Sequence, residues 1–304
     1  MNTHGLEHQV ENLFQEQIRH WELARVNFDA LKGVRVKMVD FGRFQIYVQF
    51  NPARLVSSNA KVDAKTIAHR ACFLCESNRP SAQQSIAYGD YSILINPFPI
   101  FPKHLTIPRC DHEDQRILPY FADMLNLARD LPDYVIFYNG PECGASAPDH
   151  MHFQAGNSSF LPLISDYARL KQPVSNVLYR VSGSEIFQIP DYLRTVVVIE
   201  SSTTASATES FSKLYTTLQG HQSEEPMMNV VCHFHENQWY TFVLPRARFR
   251  PWQYHADDDS QLLVSPATVE MSGVFITPIQ SHFERITKED ISDILSQSTL
   301  KQIL

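Results

Sequence analysis

Residues 139–156 read NGPECGASAPDHMHFQAG, and this stretch decides the fold and the chemistry. It opens with a run of small residues, as expected of a loop whose backbone amides approach a phosphate closely. The alternation in DHMHFQAG predicts a β-strand with His150, His152 and Gln154 on one face and apolar residues on the other. Such a strand forms a site wall backed by a core, and the alternative is a half-buried strand with two incidental histidines.

A second motif, CFLC, places Cys72 and Cys75 at a spacing that lets both thiolates bind one metal ion. Zinc needs two further ligands, and the chain offers His112 on a loop before a predicted helix and His150 at the head of the strand. The alternative is that both cysteines are buried small hydrophobes. Because the five cysteines are an odd number without framework spacing, we expect no disulfide scaffold.

Outward from these motifs, hydrophobic periodicity predicts the elements of the first half. An amphipathic helix is expected over the first 28 residues, and VRVKMVDF and RFQIYVQF around Gly42 indicate two strands joined by a tight turn. YSILINPF, HLTIP and YVIFYNG are also strand-like, with a helix over about 118–128 before the last of them. This order predicts an antiparallel α+β fold with a helix on one face.

The second half shows a similar order of elements. Strands are expected at VLYRV, RTVVVIES and VEMSGVFITP, with a helix over about 205–218 and a hairpin in NVVCHFHENQWYTFVLP. Thr287 and Asp290 resemble a capping box for a last helix. A polar, proline-containing stretch at 171–175 predicts two domains, residues 1–170 and 171–304.

Bulk properties exclude several classes of protein. The chain has 304 residues with 43% apolar content, which is enough for a substantial core. Its net charge of -7 opposes binding to a phosphate backbone, so no nucleic-acid partner is expected. Because the N-terminus lacks a secretory pattern and no run is long enough to span a membrane, we expect a cytoplasmic protein without a membrane partner.

Several segments together resemble the histidine-triad-like nucleotidyltransferases, in particular the galactose-1-phosphate uridylyltransferases. CFLCESNR is similar to their zinc-binding segment, INPFPIF to their nucleoside-contacting segment, CDHEDQRILP to the loop with their third zinc ligand, and NGPECGASAPDHMHFQ to their phosphate loop and nucleophile strand. After residue 156, NVVCHFHENQWYTFVLPR and SPATVEMSGVFITP look more like nucleotide-sugar phosphorylases and dinucleoside polyphosphate phosphorylases. The resemblance implies an α+β fold with antiparallel sheets, flanking helices and two histidine-triad-like halves.

The resemblance also implies roles for individual residues. His152 would be the nucleophile, and Gln154 would contact the phosphoryl oxygens. Asn96 matches a position near the ribose, while Asn139 and Ser146 match loop positions near the phosphates. The ligands of a structural zinc ion would be Cys72, Cys75, His112 and His150. Asp149 is an extra residue between the Ala-Pro of the loop and the first histidine, compared with the uridylyltransferases.

This chemistry is coherent in physical terms. A neutral imidazole can attack phosphorus without prior deprotonation, and two successive displacements let one site serve two phosphate-bearing substrates. Hydrolytic relatives carry a third histidine where this chain has Gln154. Because an amide donates a hydrogen bond but is no acid or base toward water, transfer to a phosphate acceptor is favoured over hydrolysis.

Three other features stay open at this stage. His233 and His235, two apart on a predicted strand, are either a second metal site or residues of a polar face. Arg246, Arg248 and Arg250 lie on one side of an extended segment and either bind the acceptor's phosphate or belong to a solvated edge. Cys143 in the phosphate loop is interpreted as a packing residue.

The sequence therefore predicts a nucleotidyltransferase or phosphorylase with a nucleotidyl-histidine intermediate. Its donor would be a nucleotide sugar or a dinucleotide, and its acceptor a phosphate or a sugar phosphate. The alternative is a non-catalytic nucleotide-binding sensor or scaffold of the same fold. A homodimer is compatible with either interpretation.

Overall fold

Two β-sheets build the chain in its computed structural model, which describes residues 3–55, 64–171, 176–181, 183–219 and 225–303. The strands of these residues are β1 Arg35–Asp40, β2 Gln45–Phe50, β3 Ile86–Tyr88, β4 Tyr91–Ile95, β5 His104–Pro108, β6 Tyr134–Asn139, β7 His152–Asn157, β8 Asn176–Val181, β9 Ser184–Gln188, β10 Val197–Ser201, β11 Met228–His235, β12 Gln238–Pro245 and β13 Val274–Thr277.

Helices connect the strands and cover the sheets. In the described residues they are α1 Thr3–His20, α2 Glu22–Ala30, α3 Ala64–His69, α4 Phe121–Asp130, α5 Pro162–Leu170, α6 Thr204–Gln219, α7 Trp252–His255, α8 Thr268–Met271, α9 Gln280–Arg285 and α10 Lys288–Ser298. None of the described helices is long and apolar enough to cross a membrane.

The larger sheet has ten strands in the order β3-β4-β5-β7-β6-β11-β12-β10-β9-β8. All its neighbouring strands are antiparallel. The edge strands are β3 and β8. Inward from β3 the order is β4-β5-β7-β6, and inward from β8 it is β9-β10-β12-β11. Helices α4 and α6 occupy equivalent places in these two runs. Each half thus contributes the same strand arrangement, and the halves meet where β6 pairs with β11.

The register across this seam relates individual positions of the two halves. Gln154 lies opposite Phe137, Phe137 opposite Val231, and Val231 opposite Phe242. The approximate two-fold symmetry of the strand order therefore brings Phe242 to the place of Gln154. Two residues earlier on β12, Tyr240 takes the place of His152. The second half repeats the fold but not the histidine.

The two faces of the large sheet bury different layers. On one face Ile136 and Phe153 pack with residues of α1, α4 and α6. On the other face Phe137 and Phe242 join a core that includes Phe275 of the smaller sheet and the C-terminal helix. The smaller sheet has the order β1-β2-β13, and β13 runs parallel to β2, so the two halves of the chain also meet there.

Most predicted elements are confirmed. Gly42 turns the β1–β2 hairpin with a φ of 81°, and its N–H donates to Asp40 Oδ1 at 2.8 Å. The capping box at Thr287 and Asp290 begins α10. The predicted division at 170/171 stays a prediction, because residues 172–175 lie outside the described part of the chain.

Three expectations about elements need correction, and two strands were not foreseen, β3 and β9. The expected first helix is broken at Trp21 into α1 and α2. The expected strand VEMSGVFITP divides into α8 and β13, because Glu270 closes a capping interaction with the Ala267 N–H. Strand β7 begins at His152, so His150 precedes the strand in a turn in which its N–H donates to the Ala147 carbonyl.

Candidate active site and metal centre

The loop between β6 and β7 lies tightly against the second half of the chain. Gly144 has a φ of 100°, and a Cβ at this position would lie 2.5 Å from Ala267 Cβ. A side chain there would therefore force the loop away from the start of α8. This close approach explains Gly144 in terms of packing.

Asn139 fixes the beginning of this loop. Its Oδ1 accepts hydrogen bonds from the Thr268 N–H at 3.0 Å and the Thr268 hydroxyl at 2.7 Å. Asn229 of β11 donates to the same oxygen at 3.0 Å and to the Cys143 carbonyl at 2.8 Å. Asn139, which was predicted to lie near the phosphates, thus also links the loop to the second half of the chain by hydrogen bonds.

His152 is buried at the start of β7. Its Nδ1–H donates to the His150 carbonyl oxygen at 2.8 Å, which selects the tautomer with an unprotonated Nε2. Burial lowers the pKa of His152 to about 4, so the ring is neutral at physiological pH. The orientation of the ring, its tautomer and its protonation state all suit a nucleophile.

Gln115 holds the backbone around His152. Its Oε1 accepts from the His152 N–H at 2.8 Å, while its Nε2 donates to the carbonyls of His152 and Asn139 at 3.1 and 3.0 Å. This fully buried amide thereby joins the start of β7 to the loop. It lies within the segment CDHEDQRILP, where only the histidine was singled out from the sequence.

His152 lines a cavity of about 430 Å³. The predicted site residues Asn96, Asn139, Ser146 and Gln154 line the same cavity. Gly144 and Ser146 line it too, so His152 shares this cavity with the loop that the sequence linked to phosphate binding.

Arg54 is a cavity-lining residue that sequence reasoning missed. Its Nη1 donates to the Phe98 carbonyl at 2.6 Å, which holds the guanidinium at the wall. Burial lowers the pKa of Arg54 to about 10, so it is still a cation at neutral pH. An isolated arginine on the 3₁₀ turn after β2 has no sequence signal that links it to residues 100 positions away.

The four expected metal ligands, Cys72, Cys75, His112 and His150, lie close together. The Cys72 Sγ lies 3.3 Å and the Cys75 Sγ 3.6 Å from His150 Nδ1, while His112 Nδ1 is 3.2 Å from both Cys75 Sγ and His150 Nδ1. All four donor atoms lie within 4.8 Å of one another, so the cluster could hold a metal ion.

The surroundings orient this cluster. The Nε2–H of His150 donates to the Arg109 carbonyl at 2.9 Å, which leaves Nδ1 for the metal. The extra residue Asp149 lies in the turn before His150 and pairs with Arg70 at 2.7 Å. The turn therefore takes up the added residue while His150 still reaches the cluster.

The remaining sequence candidates lie elsewhere. Burial raises the pKa of Cys143 to about 12, so this thiol packs rather than reacts. In the described part of the chain, the metal-type cluster around His150 does not include His233 or His235, and no second cluster is found there.

The expectation that three arginines share one side is wrong. Arg246 is buried, donating to Asn229 Oδ1 and to the carbonyls of Ser298, Arg248 and Phe249. Arg248 is exposed, and Arg250 lines the cavity. The chain turns after β12, which sends the alternate side chains to different environments.

Comparisons with known proteins support the fold. Residues 13–157 match a family described as "Domain of unknown function (DUF4922)", and residues 168–303 match "GDPGP1-like, C-terminal domain". The crystal structure of yeast Ap4A phosphorylase Apa2 is similar over 95% of this chain and 97% of that chain, with a TM-score of 0.63 and 17% identity. Its complex with Ap4A is similar over the same shares, with a TM-score of 0.58 and 19% identity.

The chain therefore has the fold of the yeast Ap4A phosphorylase structures. Among curated proteins, diadenosine 5',5'''-P1,P4-tetraphosphate phosphorylase 2 of Saccharomyces cerevisiae is 32% identical over 80 residues. That alignment covers 22% of this chain and 24% of the yeast protein, so it spans about a quarter of the relative's length.

Proposed function

We propose that this protein is a nucleotidyltransferase or phosphorylase that carries a nucleoside monophosphate on His152. The donor is a nucleotide sugar or a dinucleotide, and the acceptor is inorganic phosphate or a sugar phosphate. The observation that carries the proposal is the His152 ring, whose Nδ1–H is bound to the His150 carbonyl while the ring lines the cavity with loop residues 144–146.

The proposed reaction consists of two displacements at the α-phosphorus. In the first, His152 Nε2 forms a P–N bond while the P–O bond to the leaving group breaks, which is a sugar phosphate for a nucleotide sugar and a nucleoside polyphosphate for a dinucleotide. In the second, an oxygen of the acceptor phosphate forms the new P–O bond, and the P–N bond breaks to return the neutral ring. The depressed pKa of His152 supports this role, because no proton has to leave before the attack.

Gln154 favours a phosphate acceptor over water. Its side-chain amide lines the cavity beside the nucleophile and can donate to a phosphoryl oxygen. It cannot take a proton from water, whereas a phosphate oxygen is already an anionic nucleophile at neutral pH.

We also propose that the metal at Cys72, Cys75, His112 and His150 is a structural zinc ion. A tetrahedral zinc site places neighbouring ligand atoms roughly 3.3 to 3.8 Å apart, close to the described separations of 3.2 to 3.6 Å. Two thiolates and two imidazoles suit zinc better than harder ions. When bound, the ion would hold the ends of three loops together. Because the thiols must stay reduced to bind metal, the cytoplasm is the proposed location.

Covalent labelling tests the function. Purified protein is incubated with α-³²P-labelled Ap4A and with labelled UDP-, GDP- and ADP-sugars, and acid-labile, base-stable label on the chain is counted. We expect label with one class of donor, complete loss in His152→Gly, and retention in His282→Leu, a buried histidine outside the cavity. If no donor labels the wild-type protein while nucleotides still bind, the non-catalytic sensor or scaffold is the better description.

A further inference from the structure

His104 is a buried histidine for which the proposed reaction has no role so far. It begins β5, directly beside β7, with its Cα opposite Gly156. Only 1% of its surface is exposed, and the rings of Phe101 and Phe137 lie 5.1 and 6.0 Å away. A buried imidazole must place both ring nitrogens in hydrogen bonds to avoid a desolvation penalty.

Its two ring nitrogens have unambiguous partners. The Ile100 backbone N–H, which can only donate, points to His104 Nδ1 at 3.2 Å, so Nδ1 carries no proton. The proton is therefore on Nε2, which lies 3.0 Å from Gln154 Oε1. Because a protonated ring nitrogen donates, the Gln154 atom facing it must be the carbonyl oxygen.

This contact determines the direction of the whole Gln154 amide. With Oε1 held by His104, the Nε2 amino group is the free end, and no residue in the described ranges accepts a hydrogen bond from it. Gln154 lines the cavity two residues from His152, on the same face of β7. The opposite amide orientation would present an acceptor, which repels a phosphoryl oxygen.

We infer that His104 is a positioning residue that locks the Gln154 side chain with its amino group toward the phosphoryl group in transfer. The inference rests on the proposed role of His152. Through this contact the main-chain amide of Ile100, four residues before His104, selects the orientation of the Gln154 side chain.

The lock holds over the whole physiological pH range. Burial, together with the nearby Arg54 guanidinium, lowers the pKa of His104 to about 3. The ring therefore stays neutral, and it retains the Nε2–H tautomer as long as the Ile100 N–H occupies Nδ1.

A double-mutant cycle separates positioning from packing. The variants are His104→Leu, Gln154→Ala and the two combined, with the rate of nucleotidyl transfer and KM as readouts. We expect His104→Leu to lower kcat by roughly 10-fold or more with KM changed less than about 3-fold, since one preorganised donor typically contributes 10² to 10³ in rate. In the Gln154→Ala background the same change should have no effect on kcat. His104→Gln, whose amide N–H can reach Gln154, should recover part of the rate.

The matched control is His282→Leu. His282 is also buried, and its Nδ1 accepts a backbone N–H, that of Leu263, at 3.0 Å, but it does not line the cavity. Both leucine variants leave a buried N–H unpaired and should lose similar stability, whereas only His104→Leu should lose rate. Equal loss of kcat in both, or an equal factor for His104→Leu with and without Gln154, would overturn the inference.

A second readout does not depend on turnover. The ¹⁵N chemical shifts of the His104 ring should show the Nε2–H tautomer between pH 6 and 8, and an Nδ1–H tautomer would overturn the inference regardless of activity. Failure of the proposed function appears differently, as the absence of covalent label on the wild-type protein with every donor.

Discussion

At the scale of single residues, two histidines two positions apart have opposite environments. His150 lies before β7 with its ring among thiols, while His152 begins the strand with its ring in the cavity. The link between them is the His150 carbonyl, which accepts the His152 Nδ1–H. Fixing the first residue therefore also fixes the tautomer and direction of the second.

Gln154→His tests whether the amide protects the intermediate from water. A histidine at this position can act as acid or base toward water, so the ratio of hydrolysis to phosphorolysis should rise about 10-fold or more. The ratio is measured from nucleoside monophosphate and diphosphate formed in the presence of inorganic phosphate. Gln154→Asn is the control, because a shorter amide should slow transfer without changing the ratio. An unchanged ratio in Gln154→His would contradict the assigned role.

At the scale of elements, the candidate site lies where loops join the ends of strands. The loop that begins at Asn139 is held by hydrogen bonds from Gln115 of the first half and from Asn229 and Thr268 of the second half. Behind Asn229 stands the buried Arg246, whose Nη1 donates to Asn229 Oδ1 at 2.5 Å. Arg246, for which the sequence left phosphate binding and a solvated edge open, instead supports the loop.

Gly144→Ala should displace the loop from α8. The added Cβ would lie 2.5 Å from Ala267 Cβ at a φ of 100°, and we expect a rise in KM for the nucleotide together with a stability loss of about 1 to 3 kcal/mol. Gly42→Ala is the control, since its φ is 81° with open space around the new Cβ. The control should lose stability in denaturant titrations but keep its KM. Unchanged KM in Gly144→Ala would show that the loop does not contact the nucleotide.

Cys75→Ser should weaken zinc binding and destabilise the fold. Cys75 Sγ lies near both His112 and His150, so its loss removes one of two thiolates from the cluster. Because metal binding free energy is also folding free energy, we expect less zinc by elemental analysis and a lower Tm. Cys110→Ser, an exposed cysteine outside the cluster, should match the wild-type protein in both. Zinc-free wild-type protein, purified without chelators, would contradict the assignment.

At the scale of the whole molecule, a repeated strand arrangement carries a single chemical site. The two-fold relation that joins β6 to β11 brings Tyr240 and Phe242 to the places of His152 and Gln154. Phe242 is buried in the core between the two sheets, to which both halves contribute. The second half therefore closes and supports the site of the first.

This asymmetry predicts the stoichiometry of labelling. Under saturating donor, intact-mass spectrometry should show at most one nucleotidyl group per chain, and peptide mapping should place it on the segment that contains His152. A second group, or label within residues 176–245, would contradict the single-site description.

Local chemistry was sufficient to predict much of this protein from its sequence. Strand alternation, turn glycines and capping residues act between neighbours in the chain, so the hairpin at Gly42, the cap at Thr287 and most strands were predicted correctly. The proximity of Cys72, Cys75, His112 and His150 was predicted as well, because the resemblance pointed to these four residues and their thiolate and imidazole groups suit one ion.

Tertiary structure alone decided which distant groups share the cavity and which way they face. Arg54, His104 and Gln115 have no local signal, since their roles depend on contacts with residues 37 to 50 positions away. Arg246 carries the guanidinium group of a typical phosphate ligand, but a turn of the backbone buries its side chain. The orientation of Gln154 follows from a tautomer that the nearby Ile100 N–H selects, and only the packed fold brings the His104 ring to Gln154.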